Sequence, residues 1–304
     1  MTAFPPPAGQ RHDLAPGLAM VLAPNAGPMT YTGTNTYLLG EETLAVIDPG
    51  PDDPAHLAAL LAAIGGRQVS HILLTHSHLD HSPLARLLAA QTGAPVLGFG
   101  PSEAGRSPVM TALARQGLAG GGEGIDRDFM PDETLADGAV ITGAGWELTA
   151  LHTPGHIGNH MCFAWGDAVF TGDHVMGWAS SLVSPPDGDL SDFMTSCARL
   201  AGLDALVFYP GHGAPVTDPA ARLDCLMTHR RAREAQILAQ LATGPQAVEP
   251  LTAAIYTDTA RALLPVAERN VFAHLVDLHS RGLVRADPVL SRAATFALSD
   301  LSDG

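Results

Sequence analysis

Through the first two thirds of the chain, apolar residues come in short runs whose period changes wherever turn residues fall. Between Leu18 and Asp48 the segments AMVLAPNAGPM, GTNTYLLG and TLAVIDPG set brief apolar stretches among Gly, Pro and Asn, which predicts the strands of a meander. PDDPAHLAALLAAIGG follows, with prolines at its entry and a Gly pair at its exit, and predicts a helix. The unbroken apolar run in QVSHILLTH predicts a buried strand ending at Thr75. SPLARLLAAQTG predicts a helix with Ser82 as N-cap, Pro83 at its first position and Gly93 past its end. APVLGFG predicts one more short strand.

Residues 101–133 are Gly-rich and irregular, the pattern of a lid or an insertion. Strand patterns in GWELTALHT, MCFAWGD and AVFTGD then lead through a helical LSDFMTSCARLAGL to a strand in ALVFYPGHG. Strand and helix repeated twice predict an α/β fold: two sheets face to face with helices outside. From residue 219 the pattern turns mostly helical, opening with the long amphipathic PAARLDCLMTHRRAREAQILAQLA. Two further helices and a Gly-turned strand outline a small winged-helix-like module. The expected organisation is a domain over 1–218 and a C-terminal helical module over 219–304.

Composition narrows the partners. The 304 residues are 46% hydrophobic and 15% charged, as in a globular chain. The net charge is −15, with all 16 basic residues arginine, which argues against broad adhesion to nucleic acid. The one concentrated basic run, HRRARE from His229 to Glu234, reads as a solvated helix face. The module is therefore expected to pack or dimerise, with a homo-oligomer as the natural partnership. No apolar run is long enough to span a bilayer, and the N-terminus lacks a basic start followed by an apolar core. Cys162, Cys197 and Cys225 lie far apart and form no CxxC, which suits a reducing, cytoplasmic location.

The chemistry gathers at one junction. HILLTHSHLDHSPLARLLAA places His76, His78, Asp80 and His81 where the strand gives way to the helix. Strand alternation puts His76 and His78 on one side, while Asp80 and His81 sit where the chain turns and aims them elsewhere. One pair of ligands can serve one metal ion and the next pair a neighbour. Imidazole and carboxylate are ligands zinc accepts, and iron or manganese can compete. Other strand ends repeat this chemistry: His156 in LHTPGHIGNHM, Asp173 in AVFTGDHVM, and His212 between two glycines in LVFYPGHGAPV.

In this order THSHLDH, HTPGH, TGD and GHG resemble the metallo-β-lactamase superfamily, over roughly residues 18–217. The resemblance implies an αββα sandwich with a dinuclear site. It assigns His76, His78 and His156 to the first metal, Asp80, His81 and His212 to the second, and Asp173 to both. Asp48, in VIDPG, matches an early Asp that supports the ligands from outside. Two zinc ions about 3.5–4 Å apart would share a bridging hydroxide that attacks a carbonyl or phosphoryl centre. Asp80 would orient that hydroxide, and His174 or His160 would deliver a proton to the leaving group.

Within the superfamily, NAGPMTYTGTNTYLLG, HTPGHIGNHMCF, GDHVMG, DFMTSCARL, YPGHGAPV and HLVDLHSRGLV resemble the β-lactamase-like protein 2 group. Animal members of that group look like single-strand endoribonucleases, and related fungal proteins act as thioesterases on carrier-bound polyketides. The resemblance therefore implies a metal-dependent hydrolase of an ester, thioester or phosphodiester. Its substrate would be a small-molecule or carrier-bound (thio)ester, or single-stranded RNA. A glyoxalase II-like hydroxyacylglutathione hydrolase shares the metal motifs, but HVMGWASSLVSPPDGD after the bridging Asp departs from that enzyme's Gly/Cys-rich segment. A non-catalytic nucleic-acid-binding regulator should have lost ligands, and none is missing here. A diiron redox version would add carboxylates near the HxHxDH element and a flavin domain, and this chain has neither.

Overall fold

Side-chain alternation along the strands sorts this chain into layers. The computed structural model describes residues 4–120 and 124–299. One sheet runs in chain order through β1 (Arg11–Ala15), β2 (Leu18–Leu22), β3 (Asn35–Leu39), β4 (Thr43–Ile47), β5 (Gln68–Leu73), β6 (Val96–Gly98) and β7 (Glu133–Thr134). The second holds β8 (Val140–Gly143), β9 (Trp146–His152), β10 (Met161–Trp165), β11 (Ala168–Gly172) and β12 (Val207–Pro210). In β2 and β4, Leu18, Met20, Ala45 and Ile47 face the other sheet, whereas Ala19, Val21, Leu44 and Val46 face helices. Both faces are covered, so these strands read as unbroken apolar runs.

Met161, Phe163 and Phe170 of the second sheet complete the inner layer. Helices α1 (Pro54–Ile64) and α2 (Leu84–Thr92) cover the first sheet's outer face through Leu60, Ile64, Leu84 and Leu88. Following α3 (Pro108–Arg115), helix α4 (Leu190–Ala201) and the first turns of α5 (Pro219–Leu241) cover the second through Phe193, Leu200, Leu223 and Leu226. The result is the expected αββα sandwich. Among the described residues, no helix is long and apolar enough to cross a membrane.

The topology places the chemistry at one edge. β4, β5 and β6 are parallel neighbours, as are β11 and β12 in the other sheet. The carboxyl ends of parallel strands are where α/β proteins gather functional side chains. Here they deliver Asp48, the 76–81 segment, Asp173 and His212 to a common rim. Asn35 ties the sheets together there: its backbone N–H donates to Gly211 O (2.8 Å) and its amide to Pro210 O (3.0 Å) and Gly213 O (2.9 Å).

The remaining elements are β13 (Gln246–Ala247), α6 (Val248–Ile255), α7 (Leu264–Ser280), β14 (Val284–Asp287) and β15 (Thr295–Leu298). The three strands form an antiparallel sheet ordered β13-β15-β14 beside the helices, a winged-helix arrangement. Helix α5 passes through two cores, since Ile237 and Leu241 pack with Val271, Phe272, Leu275 and Phe296.

Four expectations change. β5 stops at Leu73, so His76 and His78 lie in a loop and strand alternation does not govern them. Ser82 does not cap α2; its hydroxyl donates to Asp126 Oδ2 (2.7 Å) and His78 O (3.2 Å), leaving Pro83 at the cap position. The 101–133 segment is not irregular throughout: it contains α3, whose Met110 and Leu113 bury against α5 and α7, though residues 121–123 fall outside the described residues. HRRARE is not wholly a solvated face, because Arg230 is 4% exposed.

Phe163 is fully buried between the sheets. Phe163→Ala is expected to cost about 3–5 kcal/mol of stability, read as a lower urea midpoint at unchanged m-value.

Candidate metal centre

The site grows from Asp48, the residue after β4. Its backbone lies in the left-handed region, at φ 52°, and turns the carboxylate toward the loop after β5. Asp48 Oδ1 accepts the Thr75 N–H (2.8 Å); Oδ2 accepts the Thr75 hydroxyl (2.7 Å) and His81 Nδ1 (3.0 Å). With its proton given to Asp48, Thr75 Oγ1 accepts from His76 Nδ1 at 2.9 Å. One carboxylate thus sets the tautomer and aim of two imidazoles.

Backbone carbonyls orient two more. His156 Nδ1 donates to Leu182 O (2.8 Å) and His212 Nδ1 to Gly33 O (3.1 Å). In each of these four rings Nε2 is left to face inward. His78 presents Nδ1 instead, 3.1 Å from both His76 Nε2 and His156 Nε2.

The structure brings all seven candidate ligands together in two groups. Donor atoms of His76, His78, His156 and Asp173 lie within 4.8 Å of one another, as do those of Asp80, His81, Asp173 and His212. Asp173 belongs to both: Oδ1 lies 3.4 Å from His81 Nε2, while Oδ2 lies 3.3 Å from His212 Nε2 and 3.8 Å from His156 Nε2. Two glycines make room. A Cβ on Gly211 would stand 2.4 Å from Asp173 Oδ1, and Gly155, at φ 139°, lets the His156 turn sit against the backbone of Phe193.

The donor set fits metal ions. Both Asp80 oxygens and Asp173 Oδ1 are buried without a hydrogen-bond partner among the described residues. His212 Nε2 comes within 3.1 Å of Asp80 Oδ2 but is not aligned as a donor to it. Burial pushes His78 down to about 3 and lowers His76 and His156, leaving neutral imidazoles that can ligate. Burial also presses on His212, yet Asp173 and Asp80 lift it to about 10; Asp80, Asp173 and Asp48 raise His81 likewise. Facing those rings, the Asp80 and Asp173 carboxyls are held well below their ordinary range. Two buried carboxylates demand positive charge between them, which protons on His81 and His212 supply and divalent cations replace.

His160 and His174 are not brought into the cluster. His160 bonds Thr153 Oγ1 (3.0 Å), with its ring 5.2 Å from that of His76. His174 rests on Phe193 with Nε2 3.6 Å from Cys197 Sγ. Both are fully buried, and burial pushes His160 well down and His174 to about 3. The sequence reading missed Thr75, Gly33, Ser181 and Leu182 as supports. Only Thr75 left a signal, by its place directly before the histidine motif; the carbonyls of Gly33 and Leu182 leave none, because every residue has one.

Asp48→Ala is expected to lower metal affinity about 10–100-fold, measured by chelator competition, because both His76 and His81 lose their fixed orientation.

Comparison with known proteins agrees with this geometry. The profile of the metallo-beta-lactamase superfamily matches residues 29–212, and that of the beta-lactamase associated winged helix domain matches residues 248–289. The beta-lactamase-like protein 2 homolog of Drosophila melanogaster is 29% identical over 285 residues, 90% of this chain and 91% of its own. The atrochrysone carboxyl ACP thioesterase of Aspergillus fumigatus is 32% identical over 237 residues, 75% of this chain and 66% of its own. Two fungal lactamase-like relatives are matched over 67% and 62% of their lengths, so the chain spans about two thirds of such proteins or less. A crystal structure of a metallo-beta-lactamase family protein from Thermus thermophilus superposes with a TM-score of 0.73 at 28% identity, covering 94% of this chain and 100% of the other. The superfamily match takes in the larger part of the chain and every residue of both donor groups, and the chain belongs to the metallo-beta-lactamase superfamily.

Proposed function

We propose that this hydrolase is a dinuclear zinc thioesterase acting on a small-molecule or carrier-bound acyl thioester. His76, His78 and His156 would hold one ion, Asp80, His81 and His212 the other, and Asp173 both. Zinc is the first choice for this nitrogen and oxygen set, with iron and manganese as competitors. Two bound cations supply a water made nucleophilic at neutral pH and positive charge for the oxygen that becomes negative.

The observation that carries the choice of substrate is the position of the two histidines beyond the ligand set. A phosphodiester leaves as an alkoxide and needs a proton donor, whereas a thiol of pKa about 8.5 leaves as thiolate. His160 and His174, the sequence's candidates for that donor, are fully buried, the first bonded to Thr153 Oγ1 and the second set against Phe193 and Cys197. Both Asp80 carboxylate oxygens lack a hydrogen-bond partner among the described residues and can orient a water. The thioesterase relative supports the same class.

The entrance supports an acyl group as well. Leu79, between ligands His78 and Asp80, is 46% exposed, and Tyr31 is 49% exposed. Tyr31 stacks on Trp178 at 4.8 Å, and Trp178 in turn lies against Gly213 beside His212. This apolar rim suits an acyl chain or a planar ring better than a phosphate backbone. Arg230, the centre of the basic run that an RNA substrate would need, is buried.

Zinc-loaded protein should hydrolyse acyl thioesters and leave short single-stranded RNA intact. Chelation should abolish the activity and zinc restore it. Asp80→Ala should lower kcat/KM by at least about 100-fold. Cleavage of RNA without thioester hydrolysis would overturn the reading. Tyr31→Ala is expected to raise KM for an aryl thioester about 2–10-fold more than for an acetyl thioester, from the lost stacking.

A further inference from the structure

The loop between β11 and α4 is held from outside the two-sheet sandwich. On α5, Arg222 donates Nε to Met176 O (2.6 Å) and Nη2 to Ala179 O. About two turns later Arg230 donates Nη2 to Ser181 O and Nη1 to Asn270 Oδ1 on α7 (3.0 Å). On α7, Arg269 donates Nη1 to Ser184 Oγ (3.1 Å). Three guanidinium groups from two C-terminal helices therefore grip residues 176–184.

The same loop is tied to the donor cluster. The Ser181 hydroxyl reaches the carbonyls of Asp173 and of His174 (2.8 Å), and Leu182 O receives His156 Nδ1. Asp173 is the residue shared by both ligand groups, and His156 belongs to the first. Ser181 and Leu182 are thus the last link before the ligands, and Arg230 is the link before them.

Packing alone does not account for Arg230. It is 4% exposed, its hydrogen bonds run to neutral oxygens, and the Phe193 ring lies 5.2 Å from its guanidinium carbon. A buried charge without a counter-ion is unfavourable, and an apolar side chain would fill the space with less desolvation. What an apolar side chain cannot do is reach two acceptors at once. The planar fork bonds one element at each prong, Ser181 on the loop and Asn270 on α7.

We propose that Arg230 is a positioning residue of the metal centre: by fixing the 181–182 peptide from the C-terminal helices, it holds Asp173 in place and aims Nε2 of His156. The inference rests on reading the cluster as a metal centre and is independent of the substrate. It gives the C-terminal helices a part in the site that neither nucleic-acid binding nor dimerisation supplies.

The test uses the full chain loaded with cobalt(II), whose visible absorption reports ligand geometry. Metal affinity is followed by chelator competition, with circular dichroism and thermal melting as controls for folding. Arg230→Met should bind cobalt about 10–100-fold more weakly and with an altered visible spectrum, while keeping its helical signal. Arg230→Lys should recover part of the affinity, since one ammonium reaches Ser181 O without the fork. Arg233→Met serves as the control, because that guanidinium stacks on Tyr256, 3.9 Å from the ring centre, and donates to Gln236 and Ile255, outside the loop. Unchanged affinity and spectrum in Arg230→Met would overturn the proposal, as would an equal loss in Arg233→Met. Should Arg230→Met fail to fold, Asn270→Ala, which frees one prong of the fork, decides: a smaller loss with the same spectral change supports the link, and no change removes it. Failure of the wild-type chain to take up cobalt would instead defeat the metal-centre reading, and the proposal with it.

Discussion

The carboxylate of Asp48 is the interaction on which the rest of the site depends. It sits at the end of β4, in a backbone conformation that Asp tolerates better than most residues, and accepts three hydrogen bonds from the loop after the neighbouring strand. Two of them end on Thr75, and through its hydroxyl on His76; the third ends on His81. These imidazoles belong to different ligand groups. A single buried anion therefore fixes the orientation of both halves, and the parallel pairing of β4 with β5 brings it there.

Around that anchor the site is an electrostatic problem with one consistent solution. Asp80 and Asp173 are buried with oxygens that no donor among the described residues satisfies. Isolated, they would be strongly unfavourable. The surrounding rings are turned so that Nε2 faces inward, because Asp48, Thr75, Leu182 and Gly33 take up the opposite nitrogens. Such an arrangement leaves its unmet bonds at the point where metal ions belong, and binding them stabilises the folded chain as well as enabling hydrolysis.

Support reaches the ligands from far along the sequence. Leu79 N–H donates to Gly124 O (3.2 Å) and Asp126 N–H to Ser77 O (2.9 Å), so the 101–133 segment braces the histidine loop while its own helix α3 packs on α5 and α7. From the other side, arginines of α5 and α7 hold the loop that supports Asp173 and His156. Sandwich, insertion and winged-helix module meet around one centre.

Layers and candidate ligands were legible along the chain. Unbroken apolar runs marked the doubly covered strands, and ligand-type residues crowded at strand ends marked the seven donors, because both are local patterns. What joins distant segments emerged only on folding. Asp48 captures the Thr75 N–H, so the strand ends at Leu73 and the histidines stand in a loop. Ser82 looked like a cap until Asp126, 44 residues on, claimed its hydroxyl. The helix at 108–115 was hidden by glycine-rich flanks, and its apolar face has meaning only against α5 and α7. Arg230 read as surface charge because the acceptors that justify burying it, Ser181 O and Asn270 Oδ1, lie 49 and 40 residues away in opposite directions. Hydrophobic periodicity and ligand type are properties of a residue and its neighbours in the chain, whereas a hydrogen-bond partner is a property of where the chain returns.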